Sequence, residues 1–248
     1  MSKEKNEVGL KANQFIKRLK LFQSPKELEK IKRYFKSDKG EYSYGDKFIG
    51  VQMGKVFSLA KEFMGMPLEE VEKLLENSIH EVRAGAVSIM DFQARDKKTS
   101  DLRRKELFEL YLRRHDRINN WDLVDRSALF VIGSYLLNKP RNILYKLARS
   151  KNIWERRTAI VSTGYFLRQG DISDTFRIAE ILANDKADLI NKAVGGWIRE
   201  AGKQDAERLY EFLDEHAAKM PRVSLRYAIE KLSLSQRKKY LAMVDISG

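Results

Sequence analysis

The 248-residue chain contains no cysteine. Disulfides, thiolate zinc sites, iron–sulfur clusters and a cysteine nucleophile are therefore excluded. Histidine is scarce: His80, His115 and His216 lie far apart, and none has a second histidine at ligand spacing. A catalytic metal site is not expected from such a set. No apolar run approaches the length of a membrane span. The N-terminal M-S-K-E-K-N-E carries no apolar stretch of the kind a signal peptide needs. These absences predict a soluble chain with no membrane role, in the cytoplasm (nucleoid-associated if the source is bacterial). Acidic residues are in deficit: Asp+Glu number 35 against 48 Lys+Arg, a formal net charge of +13. Such a balance favours a polyanionic partner, nucleic acid first and an anionic membrane surface second.

Proline occupies only four positions, Pro25, Pro67, Pro140 and Pro221, and strand-like alternation is slight. Apolar residues recur instead at three- and four-residue steps, the helical signal. A first helix carries Phe15, Ile16 and Leu19. In S-P-K-E, Ser24 caps a second helix, Pro25 takes its first position and Glu27 closes a capping box. A polar loop runs from Ser37 to Lys47, and helices follow over about 51–63 and 67–77. S-I-H-E reads as another capping box, starting at Ser78. The segment Arg95–Arg117 holds nine Lys/Arg and five Asp/Glu around apolar residues, a solvated helix face. Further helices are expected from Trp121 to about Asn138, from Pro140 to about Arg149, and from an Asn152 cap towards Gly170. The last ones start at caps Ser173 and Asp185, cover about 204–218, run from Pro221 to Leu232, and end near Met243. No Pro/Gly/Ser-rich linker divides them, so the chain reads as a single domain, 1–248, with a repeat core over roughly 24–243.

The helices fall into short pairs. Arg83-Ala84, Asp125-Arg126, Arg157-Thr158, Lys192-Ala193 and Arg226-Tyr227 hold similar places in successive second helices, 32 to 42 residues apart. That is the range of HEAT-type repeats. Stacked pairs would make a right-handed, all-α solenoid of about six HEAT-like pairs, whose second helices line a concave basic face.

One stretch anchors the rest: N-N-W-D-L-V-D-R-S-A, Asn119 to Ala128. Asn120 suits a helix N-cap. With the helix starting at Trp121, Trp121 and Asp125 lie one above the other. An indole and a carboxylate so placed suit a flat cationic partner. Taken alone, a tryptophan is commonly core, and an aspartate in a first turn commonly complements the helix dipole. The company they keep decides.

That company is a set of four strings in order: F-K-S-D-K-G-E-Y-S-Y-G-D-K-F-I-G-V, N-N-W-D-L-V-D-R-S-A, N-I-W-E-R-R-T-A-I and K-A-V-G-G-W-I-R-E-A-G-K. Together they resemble signature segments of the DNA alkylation repair family, the AlkD-like DNA glycosylases, over roughly Tyr34 to Leu232. The resemblance implies HEAT-like repeats that excise alkylated purines from duplex DNA, without a metal or organic cofactor and without an obligate protein partner. By matching motif it implies Asp125 as the catalytic carboxylate and Trp121 as its aromatic neighbour. Arg157 matches an arginine set beside the lesion's backbone, and Arg199 a basic residue of the DNA-facing surface. Tyr34 matches an aromatic near the lesion. The final string departs from the family's K-A-x-G-W: Gly196 holds the aromatic place, and Trp197, kept as a candidate DNA-binding residue, follows it, turned by about 100° on a helix. After G-V, Gln52 and Gly54 stand where the family has a basic residue and a proline, a departure in the N-terminal repeats.

The chemistry suits these residues. A purine alkylated at N3 or N7 (7-methylguanine, 3-methyladenine) is cationic and already a good leaving group, so no general acid is required. Asp122, three residues before Asp125, is read as helping the helix N-terminus. A carboxylate at about 4 Å from an oxocarbenium-like sugar contributes roughly 4 kcal/mol at an effective dielectric near 20. That is about a thousandfold in rate if felt only in the transition state. Two readings from other classes stay open at this point: a non-catalytic HEAT-like module that binds DNA or another polyanion, and a protein-interaction scaffold.

Overall fold

Fourteen α-helices supply the regular structure among the described residues, 10–243, of the computed structural model. The N-terminal M-S-K-E-K-N-E, on which the expectation about a signal peptide rests, lies outside those residues. The fold is all-α. An isolated bridge between Lys47 and Ile79 is the extended pairing among the described residues, and no helix there is long and apolar enough to cross a membrane. By packing, the chain falls into two compact units, Met1–Ser127 and Ala128–Gly248.

The first unit holds α1 (Ala12–Lys20), α2 (Pro25–Tyr34), α3 (Met53–Glu62), α4 (Leu68–Leu75), α5 (His80–Arg95), α6 (Asp101–Arg113) and most of α7 (Trp121–Ala128). Helix α5 is its centre, packed against α3, α4 and α6 and buried on nearly all sides. Several starts are set locally. The Ser24 hydroxyl accepts from the Glu27 amide at 3.4 Å with Pro25 in the first position, and the Ser100 hydroxyl accepts from Arg103. The expected box at Ser78 does not form. Ile79 holds the cap position without a side-chain bond. Glu81 instead accepts the backbone amides of Ile49, Gly50 and Val51 at 2.9 to 3.3 Å. Three consecutive amides of the stretch before α3 outcompete one amide of its own helix.

The second unit contains a π-helical segment, Leu129–Ser134, then α8 (Asn142–Ala148), α9 (Ile153–Leu167), α10 (Ser173–Leu182), α11 (Asp188–Gly202), α12 (Ala206–His216), α13 (Arg222–Ala228) and α14 (Leu234–Ala242). The helix expected from Trp121 to Asn138 therefore changes pitch after Ala128. The Asn152 side chain caps α9 as expected, accepting from Trp154 at 2.9 Å. Asp185 and Ser173 sit slightly off their expected cap positions: Ala187 and Ile172 hold them. Alternate helices stack: α9 on the π segment, α11 on α9, α13 on α11. Two of these contacts repeat in detail. A β-carbon at Gly133 would fall 2.3 Å from the Ser162 carbonyl oxygen and 2.8 Å from Cβ of Tyr165. At Gly195 the corresponding distances, to Ser224 and Tyr227, are 2.3 and 2.7 Å. All three positions shift by the same number of residues, so both helix pairs close by one device: a bare backbone under a Ser-x-x-Tyr turn.

Candidate active site

The site is built at the start of α7. Asn120 is fully buried, and its Oδ1 accepts from the Trp121 amide at 2.8 Å while its Nδ2 donates to Ser43 Oγ at 2.7 Å and Asp46 Oδ2 at 3.2 Å. One side chain thus starts the helix and pins it to the loop that precedes α3. The Trp121 ring stacks on Phe35 (centroids 5.6 Å apart, planes at 20°), meets Tyr34 edge-on at 5.7 Å, and donates Nε1–H to the Tyr42 hydroxyl at 3.3 Å. Burial raises the Tyr42 phenol above its ordinary range. Such offset and edge contacts fix an aromatic face more firmly than area alone.

Above this face lies an open cavity of about 730 Å³, lined by α2, α3, α5 and α7 of the first unit. Tyr34, Phe35, Phe57 and Trp121 give it aromatic walls, and Glu27, Asp122 and Asp125 give it carboxylates. Tyr34 is 66% exposed, and Asp125 is exposed on the cavity wall. Tyr34, Trp121 and Asp125, singled out from the sequence, therefore meet in one place. The cavity can hold a flat cation between a π face and negative charge.

The parts that Arg126, Gln52 and His80 play here were not legible in the sequence. Arg126 lines the cavity, clamped between the rings of Phe57 and Phe92 at 4.6 and 4.8 Å and bonded to Ser88 Oγ and Asp91; burial lowers its pKa. Gln52, one of the departing residues assigned to the fold, is on the cavity wall. His80, passed over as a lone histidine, is fully buried, with Nε2 2.8 Å from Asp122 Oδ2 and Nδ1 3.7 Å from Asp46 Oδ2. Burial pushes its imidazole down, but the two carboxylates more than offset that and raise it to about 9. Asp46 is raised by burial and lowered more strongly by His80 and Arg83, ending below the usual carboxylate range. Asp122, read as a helix-dipole residue, is thus the partner of a buried histidine.

The remaining residues from the sequence lie in the second unit. Arg157, on α9, is 8% exposed and donates from Nη1 to the Leu189 carbonyl in the first turn of α11. Arg199 is half-buried and pairs with Glu200 and Glu230. Trp197 is half-buried, its ring set against the bare backbone of Gly164: a β-carbon there would be 2.2 Å from Cη2. A β-carbon at Gly196 would meet nothing within 4 Å. The repeated basic positions are not uniformly exposed. Arg83 and Arg157 are buried and Arg126 half-buried, whereas Lys192 and Arg226 are exposed. A guanidinium reaches several acceptors at once, so those near turn carbonyls and carboxylates are drawn inward.

Three comparisons bear on this arrangement. A family model described as DNA alkylation repair enzyme matches residues 15–232. A solved structure described as a predicted DNA alkylation repair enzyme from Enterococcus faecalis is similar over 86% of this chain and 97% of its own, with a TM-score of 0.65 and 17% identity, a likeness of fold. No curated protein matches.

Proposed function

The chain belongs to the DNA alkylation repair enzyme family, and from that premise we propose that it is a monofunctional DNA glycosylase hydrolysing the N-glycosidic bond of cationic alkylated purines in duplex DNA. The observation that carries the reading is the cavity in which Trp121 and Asp125 meet the rings of Tyr34 and Phe35. Aromatic faces attract a cationic purine more than a neutral one. Asp125 stabilises the sugar as it becomes oxocarbenium-like, the contribution of roughly 4 kcal/mol estimated for a carboxylate near unit charge. Because the leaving base already carries charge, the reaction needs no acid, metal or organic cofactor.

On this proposal the fold is a HEAT-like solenoid, a reading supported by the glycine contacts repeated at Gly133 and Gly195. Arg199 serves as a phosphate contact from α11. Arg157 is assigned to the fold first, through Leu189, and to DNA second. Tyr34 borders the lesion, and Trp197 supports the DNA side by holding α11 against α9.

The test is release of 7-methylguanine and 3-methyladenine from methylated duplex DNA by the purified protein. Release that disappears in Asp125→Asn is the expected result. Salt-sensitive DNA binding with no base release would replace this reading with a non-catalytic binding module.

A further inference from the structure

We propose that the buried His80–Asp122 pair is the positioning element of the site, holding the first turn of α7 and with it Trp121 and Asp125. The inference rests on the base-excision reading. His80 is the first residue of α5, and its amide donates to the Lys47 carbonyl at 2.8 Å, so the ring's place is fixed by backbone. From there it reaches the site by two routes. Nε2 holds Asp122, the chain neighbour of Trp121, at 2.8 Å. The ring also lies 5.0 Å from Phe35 and 4.9 Å from Phe48, and Phe35 is the residue stacked on the Trp121 indole. Helix and aromatic wall are located by one imidazole.

The arrangement also sorts the carboxylates. Asp122 and Asp125 both line the cavity, and two like charges three residues apart on a helix oppose each other. His80 commits Asp122 to the fold. For stability alone, apolar side chains of similar volume would serve as well as a buried ionic group. An ionic contact adds direction, because only one placement of the first turn of α7 satisfies it.

The charged and titratable groups around the His80–Asp122 pair are Asp46 and Tyr42 on the loop before α3, and Arg83 and Glu81 on α5. Burial and Arg83 disfavour the imidazolium; Asp122 and Asp46 favour it and prevail, up to about 9. Glu81 is engaged with the amides of residues 49–51, and Tyr42 is raised above its ordinary 10. A histidine raised on folding stabilises fully below its unfolded value of 6.5, and that contribution is lost as pH rises through about 9. Positioning, and with it base release, should fade over the same window.

The experiment is single-turnover release from a duplex carrying 7-methylguanine, from neutral pH to well above 9, for the parent protein, His80→Gln and Asp122→Asn. The parent should lose activity with a midpoint near 9. His80→Gln should be slower by about tenfold to a hundredfold at neutral pH, the scale of a misplacement of up to about 1 Å, and flat across the window. A His80→Gln protein with the parent's rate and profile would overturn the proposal. Where His80→Gln does not fold, Asp122→Asn decides: its alkaline midpoint should fall towards 6.5, and an unmoved midpoint overturns the idea. A parent that releases no base sinks the glycosylase reading instead. Positioning is then read from the near-ultraviolet circular dichroism of Trp121, identified with Trp121→Phe. That signal should titrate near 9 in the parent and lower in Asp122→Asn; no titration, or the same midpoint in both, overturns the proposal.

Discussion

At the scale of single residues, two aspartates separated by one turn of α7 have different tasks. Asp122 answers a buried histidine, whereas Asp125 is exposed on the wall of the cavity. Asp125→Asn keeps size and removes charge, so base release should fall roughly a thousandfold with DNA affinity much less affected. Single-turnover rates and binding measured on the same lesion-containing duplex check this, and equal rates would remove Asp125 from the chemistry. The Gly196-Trp197 pair makes a second prediction. Trp197 is committed to Gly164 on the neighbouring helix, while the space beside Gly196 is open. Trp197→Ala should therefore lower stability by about 3 kcal/mol, the cost of deleting a large packed side chain, with little change in the rate of the folded enzyme. Gly196→Trp should raise base release several-fold by filling the open place. If Trp197→Ala instead abolishes activity in a protein of unchanged melting temperature, the indole acts on DNA and this assignment is wrong.

At the scale of elements, α5 explains which features could be seen in the sequence. The caps at Ser24 and Asn152 were legible because cap and amide lie within three residues of each other. The S-I-H-E string misled for the same reason: it has the local spacing of a capping box, yet Glu81 and His80 are spent on partners about 30 and 42 residues away. No local pattern carries such pairings. The helix pairs, the Trp121–Asp125 face and the Tyr34 contact were readable because periodicity and motif encode them. The clamp on Arg126 was not, since Phe57 and Phe92 come from other helices. Glu81 is the test case for this element. Glu81→Ala would strand three amides around Gly50 and should cost about 3 kcal/mol or more, given roughly 1–3 kcal/mol for each unsatisfied buried group. Urea unfolding measures it; a loss below about 1 kcal/mol would mean that the chain around Gly50 relaxes to find other acceptors.

At the scale of the whole molecule, the formal charge of +13 invites a DNA-binding account of every arginine, and the hydrogen bonds argue against that. Arg83 and Arg117 hold carbonyls between Leu75 and Ser78, Arg156 holds those of Ser150 and Lys151, and Arg157 holds that of Leu189. These guanidiniums hold backbone carbonyls at and between helix ends, a use of positive charge that salt screens weakly. Only side chains that reach solvent release counterions from phosphate, each adding about 0.9 to the slope of log affinity against log salt. Arg199→Ala should therefore flatten that slope by about one unit while leaving the melting temperature nearly unchanged, since its ion pairs are partly exposed. Arg157→Ala should do the reverse. Losing a charged hydrogen bond at a buried site costs about 1.5–3 kcal/mol, which at about 2–4 °C per kcal/mol for a chain of this size lowers the melting temperature by roughly 3–12 °C. Its salt slope should stay that of the parent. Titrating both variants with duplex DNA across a range of salt, beside thermal melts, separates the two roles. A flattened slope and an unshifted melt for Arg157→Ala would return that residue to the DNA backbone, where its motif first suggested it belonged.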